Sequence, residues 1–396
     1  MPDVSPPWWN LGHTSWFFAK NVLEPRGLYV DGDRRLEFVL NSYYETHGRR
    51  IERAKRGLVT RPTTDEILAF RRAVDERMEE LLMSAEEADL EDLGFLVATG
   101  VQHEQQHQEL LVTEVKHILG CNVPELREPY VERNGRPALR STPSPRFVDI
   151  EAGLHDFGNL EGGWCWDNEL PVHRAWVEHF GLFNRLVTNA EYLEFIDDGG
   201  YDDALLWLAN GWTTAQEEGW RAPLYWRHSD GGWTSWTLAG ERPIEPHEPV
   251  CHVSFYEADA YARWRRLRGG LWEGARLPTE RELEQAARAT SADPSRGNFV
   301  ESCLFHPRAA EDAGGVLQLF GDLWEWTTSH YEPYPGYRPF EGDLMEYNGK
   351  FMDNQRVLRG GSCATPADHM RISYRNFWPA GTRFQFTGIR LARDPG

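Results

Sequence analysis

Five prolines, at positions 124, 129, 137, 143 and 145, interrupt this chain within a stretch of 22 residues. Proline lacks a backbone N–H and fixes its φ angle, so neither a helix nor a central strand runs through such a cluster. Residues 123–147 therefore read as an extended linker. They separate a segment 1–122 from a segment 148–396. A length of 396 residues exceeds what one ordinary core organises. Hydrophobic residues make up 40% of the chain, enough for a packed interior on each side of the linker.

The first segment reads as helical. Thr63-Thr64-Asp65-Glu66 is a capping box, with Thr63 as N-cap and Glu66 three residues on. Ile67, Phe70, Val74, Met78 and Leu81 then recur at helical spacing. Ser84-Ala85-Glu86-Glu87 repeats the capping pattern, predicting a second long helix to about Leu119, with Gly120 as its stop. His13 precedes Trp16-Phe17-Phe18, which fits a further helix to about Leu23. Short connections between helices favour antiparallel neighbours, so a helix bundle is expected. Beyond residue 148 short strand-like pieces alternate with Gly, Asn, Asp and Trp, and most of the 17 tryptophans lie past residue 160. Two more capping boxes, Ser254-x-x-Glu257 and Thr279-x-x-Glu282, each open a helix there. The expectation is an α+β two-domain protein whose second domain is loop-rich and held by aromatic packing.

Charge narrows the function classes. There are 42 Lys and Arg against 62 Asp and Glu, a formal net charge of −20. Such a chain repels phosphate backbones and anionic lipid, so no nucleic acid and no membrane partner is expected. No apolar run reaches bilayer length. Met1 to Asn10 shows no basic region followed by an apolar stretch, so no secretory signal is expected. Five scattered cysteines without a C-x-x-C pair read as reduced thiols of a cytoplasmic protein.

The segment His103-Glu104-Gln105-Gln106-His107-Gln108-Glu109 lies inside the long helix. His103 and His107 are four apart and share a face with Leu96, Gly100 and Leu110. Two imidazoles on a core-facing stripe are either hydrogen-bonded core residues or metal ligands. Burying an unpaired polar ring costs about 1–3 kcal/mol, which a metal would remove. Glu109 cannot share the face of His107 and fits an orienting acceptor for a ligating ring. A third ligand would come from elsewhere, with His13 ahead of His47 and His117. His117, ten residues past His107, has rotated by about 280° at 3.6 residues per turn. Zinc, iron and copper all suit three imidazoles.

The histidines sit within a longer set of motifs. It starts with Pro7-x-Trp9-x-Leu11-Gly12-His13-Thr14-x-Trp16-Phe17-Phe18, Asn41-Ser42-Tyr43-Tyr44-Glu45 and His103-x-x-x-His107-x-Glu109. It continues through Asp167-Asn168-Glu169-x-Pro171-x-His173, Gly199-Gly200-Tyr201 and Arg276-Leu277-Pro278-Thr279-Glu280. It ends with Gly321-Asp322-x-Trp324-Glu325-Trp326-Thr327, Leu358-Arg359-Gly360-Gly361-Ser362 and Tyr374-Arg375-Asn376-Phe377. Together these motifs resemble those of the ergothioneine-type sulfoxide synthase family. The resemblance implies an N-terminal DinB-like helix bundle and a C-terminal domain of the formylglycine-generating-enzyme type, related to C-type lectin folds. It also implies Fe(II) held by His13, His103 and His107. The reaction implied joins hercynine to cysteine or γ-glutamylcysteine with dioxygen, giving a carbon–sulfur bond and a sulfoxide.

Further residues carry over by position. Tyr43 or Tyr44 would supply a phenolic proton near iron. Read as adjacent helical residues, they point about 100° apart, so one of them faces the metal. Gln106, Asn376 and Phe377 would contact hercynine, the aromatic ring through its quaternary ammonium. One of Arg50, Arg53 and Arg56, with Arg53 the choice, would pair with the carboxylate of the thiol substrate. Trp378 stands where users of γ-glutamylcysteine tend to carry an acidic residue, which points to free cysteine. Relatives carry a helix ahead of the opening motif, so a trimmed bundle or a start further upstream is expected. Ovothiol-type and selenoneine synthases, and zinc-dependent DinB-like thiol transferases, are the alternative readings. Formylglycine generation itself needs a cysteine pair, and Cys363 has no companion before Arg375.

Overall fold

A computed structural model describes residues 4–30, 34–45, 47–123, 125, 127–132, 141–311 and 313–395. Pro124 and Pro137 of the expected linker lie outside them. The chain forms two compact units, residues 1–118 with 339–348 and residues 119–338 with 349–396. The first is helical and the second mixed, giving the α+β class expected from the sequence.

The helical unit is built on α1 (Pro7–Phe18), α2 (Arg34–Leu40), α3 (Thr64–Ser84) and α4 (Leu90–Gly120). Pro7 opens α1, where a missing N–H costs nothing, and a π-type turn, Ala19–Leu23, extends it. The α3 capping box forms as the sequence predicts: the Thr63 hydroxyl accepts from the Glu66 N–H, and Glu66 accepts from the Thr63 N–H at 2.6 Å. Ile67 and Val74 are buried along α3, while Phe70, Met78 and Leu81 on the same face are half-buried.

Ser84 is a correction. It ends α3 and does not cap α4, because its hydroxyl bonds back to the carbonyls of Glu80 and Leu81. A serine hydroxyl serves either purpose, and here it satisfies orphan carbonyls at a C-terminus. Helix α4 starts six residues later, after a short 3-10 turn over Glu87–Asp89.

Two glycines let these helices approach closely. A Cβ on Gly12 of α1 would lie 2.6 Å from the Leu40 side chain and 2.9 Å from that of Ile67. A Cβ on Gly100 of α4 would lie 2.4 Å from the Phe18 ring. Gly12 directly precedes His13, and Gly100 is one residue short of a turn before His103. Gly12 therefore seats α1 against α2 and α3 beside His13, and Gly100 seats α4 against α1 near His103.

The C-terminal unit carries two four-stranded sheets. One has the order β1 (Phe147–Ile150), β4 (Phe180–Phe183), β13 (Ala392–Arg393), β8 (Ala275–Arg276). The other has the order β11 (Asn376–Pro379), β10 (Gln355–Arg359), β9 (Trp324–His330), β12 (Thr387–Gly388). A hairpin of β2 (Gly153–Phe157) and β3 (His173–Val177) and a meander of β5 (Trp226–Ser229), β6 (Gly232–Thr237) and β7 (Gly240–Pro243) complete the strands. Its helices are α5 (Asn189–Asp197), α6 (Ala209–Glu217), α7 (Phe255–Leu267) and α8 (Glu280–Ala289). Ser254 and Thr279 cap α7 and α8 as the sequence predicts. Thr188 and Glu191 form the same box on α5, a signal present in the sequence and not singled out above. Among the described residues no helix is long and apolar enough to cross a membrane.

Candidate metal centre

His13 on α1 and His103 and His107 on α4 converge. One ring nitrogen from each lies within 4.8 Å of the other two. The ring centroids are 4.9 Å apart for His13 and His103, and 4.7 Å for each of the other two pairs. The α4 pair is the product of helical spacing, while His13 is delivered by the packing of α1 at Gly12 and Gly100.

Aromatic rings wall the site. Trp9 stacks on His13 at 4.6 Å and is anchored by its indole N–H donating to Val39 O at 2.7 Å. Trp16 lies on His13 at 5.9 Å, and Phe17 packs against His103 at 4.7 Å. Burial in this apolar wall pushes all three imidazoles down, His103 to about 3, with the neighbouring rings adding to the effect at His13 and His107. The rings are therefore neutral at physiological pH and present lone pairs.

Two rings are oriented by acceptors. His13 Nδ1 is 2.6 Å from Leu40 O, and His107 Nδ1 is 2.8 Å from Asn10 Oδ1. Both acceptors only accept, so each Nδ1 carries the proton and each Nε2 is left with its lone pair. His13 Nε2 and both nitrogens of His103 are buried with no hydrogen-bond partner. Each such atom costs about 1–3 kcal/mol if nothing pairs with it. A donor set of neutral imidazole nitrogens fits a divalent transition metal. Glu109 is buried, and the acceptors facing His13 Nδ1 and His107 Nδ1 are Leu40 O and Asn10 Oδ1.

For Tyr43 and Tyr44 it is the helical placement that the structure corrects. They lie in a loop after α2, because the Asn41 side chain accepts from the Tyr44 N–H and donates to the Tyr44 carbonyl. Their rings do not diverge as on a helix but stack at 4.6 Å. Tyr44 is fully buried against Trp16, and burial raises its phenol well above the ordinary value. His47 packs on Trp16 and Tyr44 and lies 3.3 Å from Asp343, outside the three-ring cluster. His117 is also outside it.

Of the arginines, Arg50 pairs with Glu45 at the surface. Arg53 is 3.5 Å from Glu114 and about one-third exposed. Arg56 is buried with its guanidinium 3.6 Å over the Trp9 ring. Burial and the nearby Arg53 lower Arg56 to about 9.

One group near the cluster has no counterpart in the sequence reading. Tyr347, on the 339–348 segment, packs 5.7 Å from the His103 ring, and its hydroxyl donates to Gln106 Oε1. It also meets Tyr43 at 6.0 Å. The same segment places Phe340 against Phe95 and Glu346 as acceptor for the Glu45 N–H. Nothing local in the sequence marks a tyrosine 241 positions from its partner.

Asn376, Phe377 and Trp378 lie on β11 of the C-terminal unit. Asn376 Oδ1 accepts from the Phe377 N–H. Phe377 stacks on Tyr331 at 4.0 Å with Phe351 at 5.9 Å, and Trp378 packs on Phe384. The Tyr331 hydroxyl accepts from the Asn168 side-chain amide.

Comparison with known proteins agrees with this architecture. The DinB superfamily model matches residues 1–111, and the sulfatase-modifying factor enzyme 1-like domain matches residues 134–302 and 297–395. The hercynine oxygenase of Mycolicibacterium smegmatis is 36% identical over 331 residues, covering 77% of this chain and 73% of that one. The hercynine oxygenase of Mycolicibacterium thermoresistibile is 34% identical, with coverage of 78% and 70%. Ergothioneine biosynthesis protein 1 of Schizosaccharomyces pombe is 29% identical over 58% of this chain and 28% of its own length. Identity at this level, carried across both units and over more than two thirds of both Mycolicibacterium hercynine oxygenases, means that the chain belongs to the hercynine oxygenase family and is an oxygen-dependent enzyme.

Proposed function

We propose that the protein is an iron(II)- and dioxygen-dependent sulfoxide synthase. It joins the imidazole of hercynine to the sulfur of cysteine or γ-glutamylcysteine in the cytoplasm. The observation that carries this reading is the convergence of three neutral imidazoles, His13 and His103 buried with unpaired nitrogens and His107 half-buried beside them, in a chain of this family. His13 and His107 would bind through Nε2 and His103 through either nitrogen. Residues 1–122, joined by 339–348, would form the metal-bearing bundle, 123–147 the linker and the remainder of 148–396 the second domain.

The overall reaction balances as thiol plus imidazole C–H plus O2 giving the sulfoxide and one water. The S–H and C–H bonds break, a C–S and an S–O bond form, and dioxygen takes up the four electrons and two protons. Iron(II), when bound, supplies open positions for thiolate and dioxygen and lowers the thiol pKa. The residues of the chain do the rest. The apolar wall of Trp9, Trp16 and Phe17 excludes water from the site. The phenols of Tyr43, Tyr44 and Tyr347 are the groups able to hand over a proton. Tyr347 is the phenol with a ring contact to His103 and a hydroxyl fixed by Gln106. Gln106 would help orient hercynine. Arg53, which keeps part of its guanidinium exposed, would meet the carboxylate of the thiol substrate. Phe377, flat on Tyr331 beside Phe351, offers an aromatic face for a trimethylammonium group, with Asn376 beside it. Trp378, lacking charge, favours free cysteine.

The test is anaerobic reconstitution with iron(II), then oxygen exposure with hercynine and each thiol, read by mass spectrometry. A coupled sulfoxide with cysteine is expected. No coupled product with any thiol or selenium donor defeats the reading. Tyr347→Phe, Tyr43→Phe and Tyr44→Phe separate the phenols: each keeps its iron, and the proton donor is the one whose loss slows coupling about 10²–10⁴-fold.

A further inference from the structure

Behind His107 lies a chain of contacts whose central members, Asn10 and Glu114, the reaction scheme above does not use. Asn10 Oδ1 faces His107 Nδ1 at 2.8 Å, and Asn10 Nδ2 donates to Glu114 Oε2 at 2.6 Å. The other carboxylate oxygen, Glu114 Oε1, accepts from the Ser5 backbone N–H at 2.9 Å and has Arg53 at 3.5 Å. Arg56 closes the layer by donating to Ser5 Oγ at 3.1 Å. Asn10 is 3% exposed and Glu114 1%. Water is therefore shut out, and each polar atom must be satisfied by another.

The directions of these bonds are fixed by chemistry. A carboxylate accepts only, so the amide must turn its NH2 toward Glu114. That leaves Asn10 Oδ1 for His107, and an amide oxygen also accepts only. A neutral imidazole has one N–H, and the arrangement puts it on Nδ1. The contrast with His13 is instructive. Its Nδ1 faces the Leu40 carbonyl, so its tautomer is set by backbone alone. The tautomer of His107 depends on two side chains and is open to mutation.

We propose that Asn10 and Glu114 are positioning residues that fix the Nδ1–H tautomer of His107, so that its Nε2 is presented as a ready ligand. The inference rests on the reading that the three rings hold a metal. It adds that a carboxylate two helical turns from the ligand, touching neither metal nor substrate, sets the state of the ligand.

Glu114→Gln is the incisive variant because it preserves shape. The Gln oxygen keeps the Ser5 N–H, and its NH2 then confronts the Asn10 NH2. The Asn10 amide turns over to relieve this and offers Nδ2–H to His107 Nδ1. His107 must then accept at Nδ1 and carry its proton on Nε2, the wrong nitrogen for the metal.

The experiment uses the full chain labelled with ¹⁵N in its histidine rings, metal-free, near neutral pH. Long-range proton–nitrogen spectra read each tautomer, with His107 assigned by His107→Gln. Cobalt(II) affinity is measured beside it by chelator competition. In the wild type His107 carries its proton on Nδ1. In Glu114→Gln it moves to Nε2, His13 is unchanged, and cobalt binding weakens about 10–100-fold. A wild-type His107 protonated on Nε2 overturns the proposal without any variant, so poor folding of Glu114→Gln cannot shelter it. A folded Glu114→Gln with the wild-type tautomer and affinity within twofold overturns it as well, leaving the metal site intact. A wild-type chain that binds no cobalt overturns the metal-site reading and this inference with it.

Discussion

In the C-terminal unit Arg390 is fully buried, and its guanidinium donates to both Glu325 oxygens and to the carbonyls of Phe183, Leu317 and Gln318. In the helical unit His103 is 2% exposed, yet neither of its nitrogens has a partner. The first pattern recurs in its own unit: Arg375 clasps Glu280, Arg371 clasps Glu169 and Arg185 clasps Glu191, each with two or more bonds. These pairs are closed systems that hold irregular loops in one arrangement. The histidine cluster is open, with polar capacity left over for something that is not protein. Burial of polar groups thus has two meanings in one chain, and whether their hydrogen-bonding capacity is satisfied tells them apart.

The comparison can be broken by mutating one member on each side. Arg390→Met leaves Glu325 buried and uncompensated, with three carbonyls orphaned. A loss of about 3–5 kcal/mol is expected in chemical denaturation. His103→Leu removes two unpaired nitrogens, so the metal-free chain should be as stable as wild type or more so, while losing metal binding. A silent Arg390→Met, or a collapsed His103→Leu, would erase the distinction.

A smaller effect is expected from Gly100→Ala. Its methyl meets the Phe18 ring at 2.4 Å and must push α4 from α1. The expected loss is about 1–3 kcal/mol, accompanied by weaker metal binding because His103 moves with the helix. Unchanged cobalt affinity would show that the close approach does not place the ligand.

The pH dependence sharpens the same contrast. His103 is held down to about 3 by burial, against about 6.5 in an unfolded chain. As pH falls below about 6.5 the unfolded state takes up a proton that the folded state refuses. The stability of the metal-free protein therefore falls toward acid, with a contribution from His103 of up to about 1.4 kcal/mol per pH unit. His103→Leu should flatten the slope between pH 6.5 and 4.5 by that amount. The smallest effect is Thr63→Ala, which removes the α3 cap for about 1 kcal/mol and leaves metal affinity untouched.

Much of the fold was legible because its signals are local. The boxes at Thr63, Ser254 and Thr279 each need only four residues, and all three cap helices. Ser84 misled because the same residue type closes a helix as readily as it opens one. Tyr43 and Tyr44 misled because α2 ends at Leu40, four residues before Tyr44, where the Asn41 side chain captures the backbone. At the site, helical spacing alone pairs His103 with His107. Asn10 lies three residues before His13 and Glu114 seven after His107, so helical spacing also held a clue to the orienting groups. Tyr347 offered none, since its place beside His103 is set by tertiary packing of a loop.

The central claim is that His13, His103 and His107 share one iron. Its most direct test is an anaerobic crystal grown with iron(II), with diffraction collected on both sides of the iron absorption edge. One anomalous peak is predicted among the three rings, facing Nε2 of His13 and His107 while Leu40 O and Asn10 Oδ1 hold the opposite nitrogens. A peak bound by fewer than three of these rings, or placed elsewhere in the chain, would contradict the account.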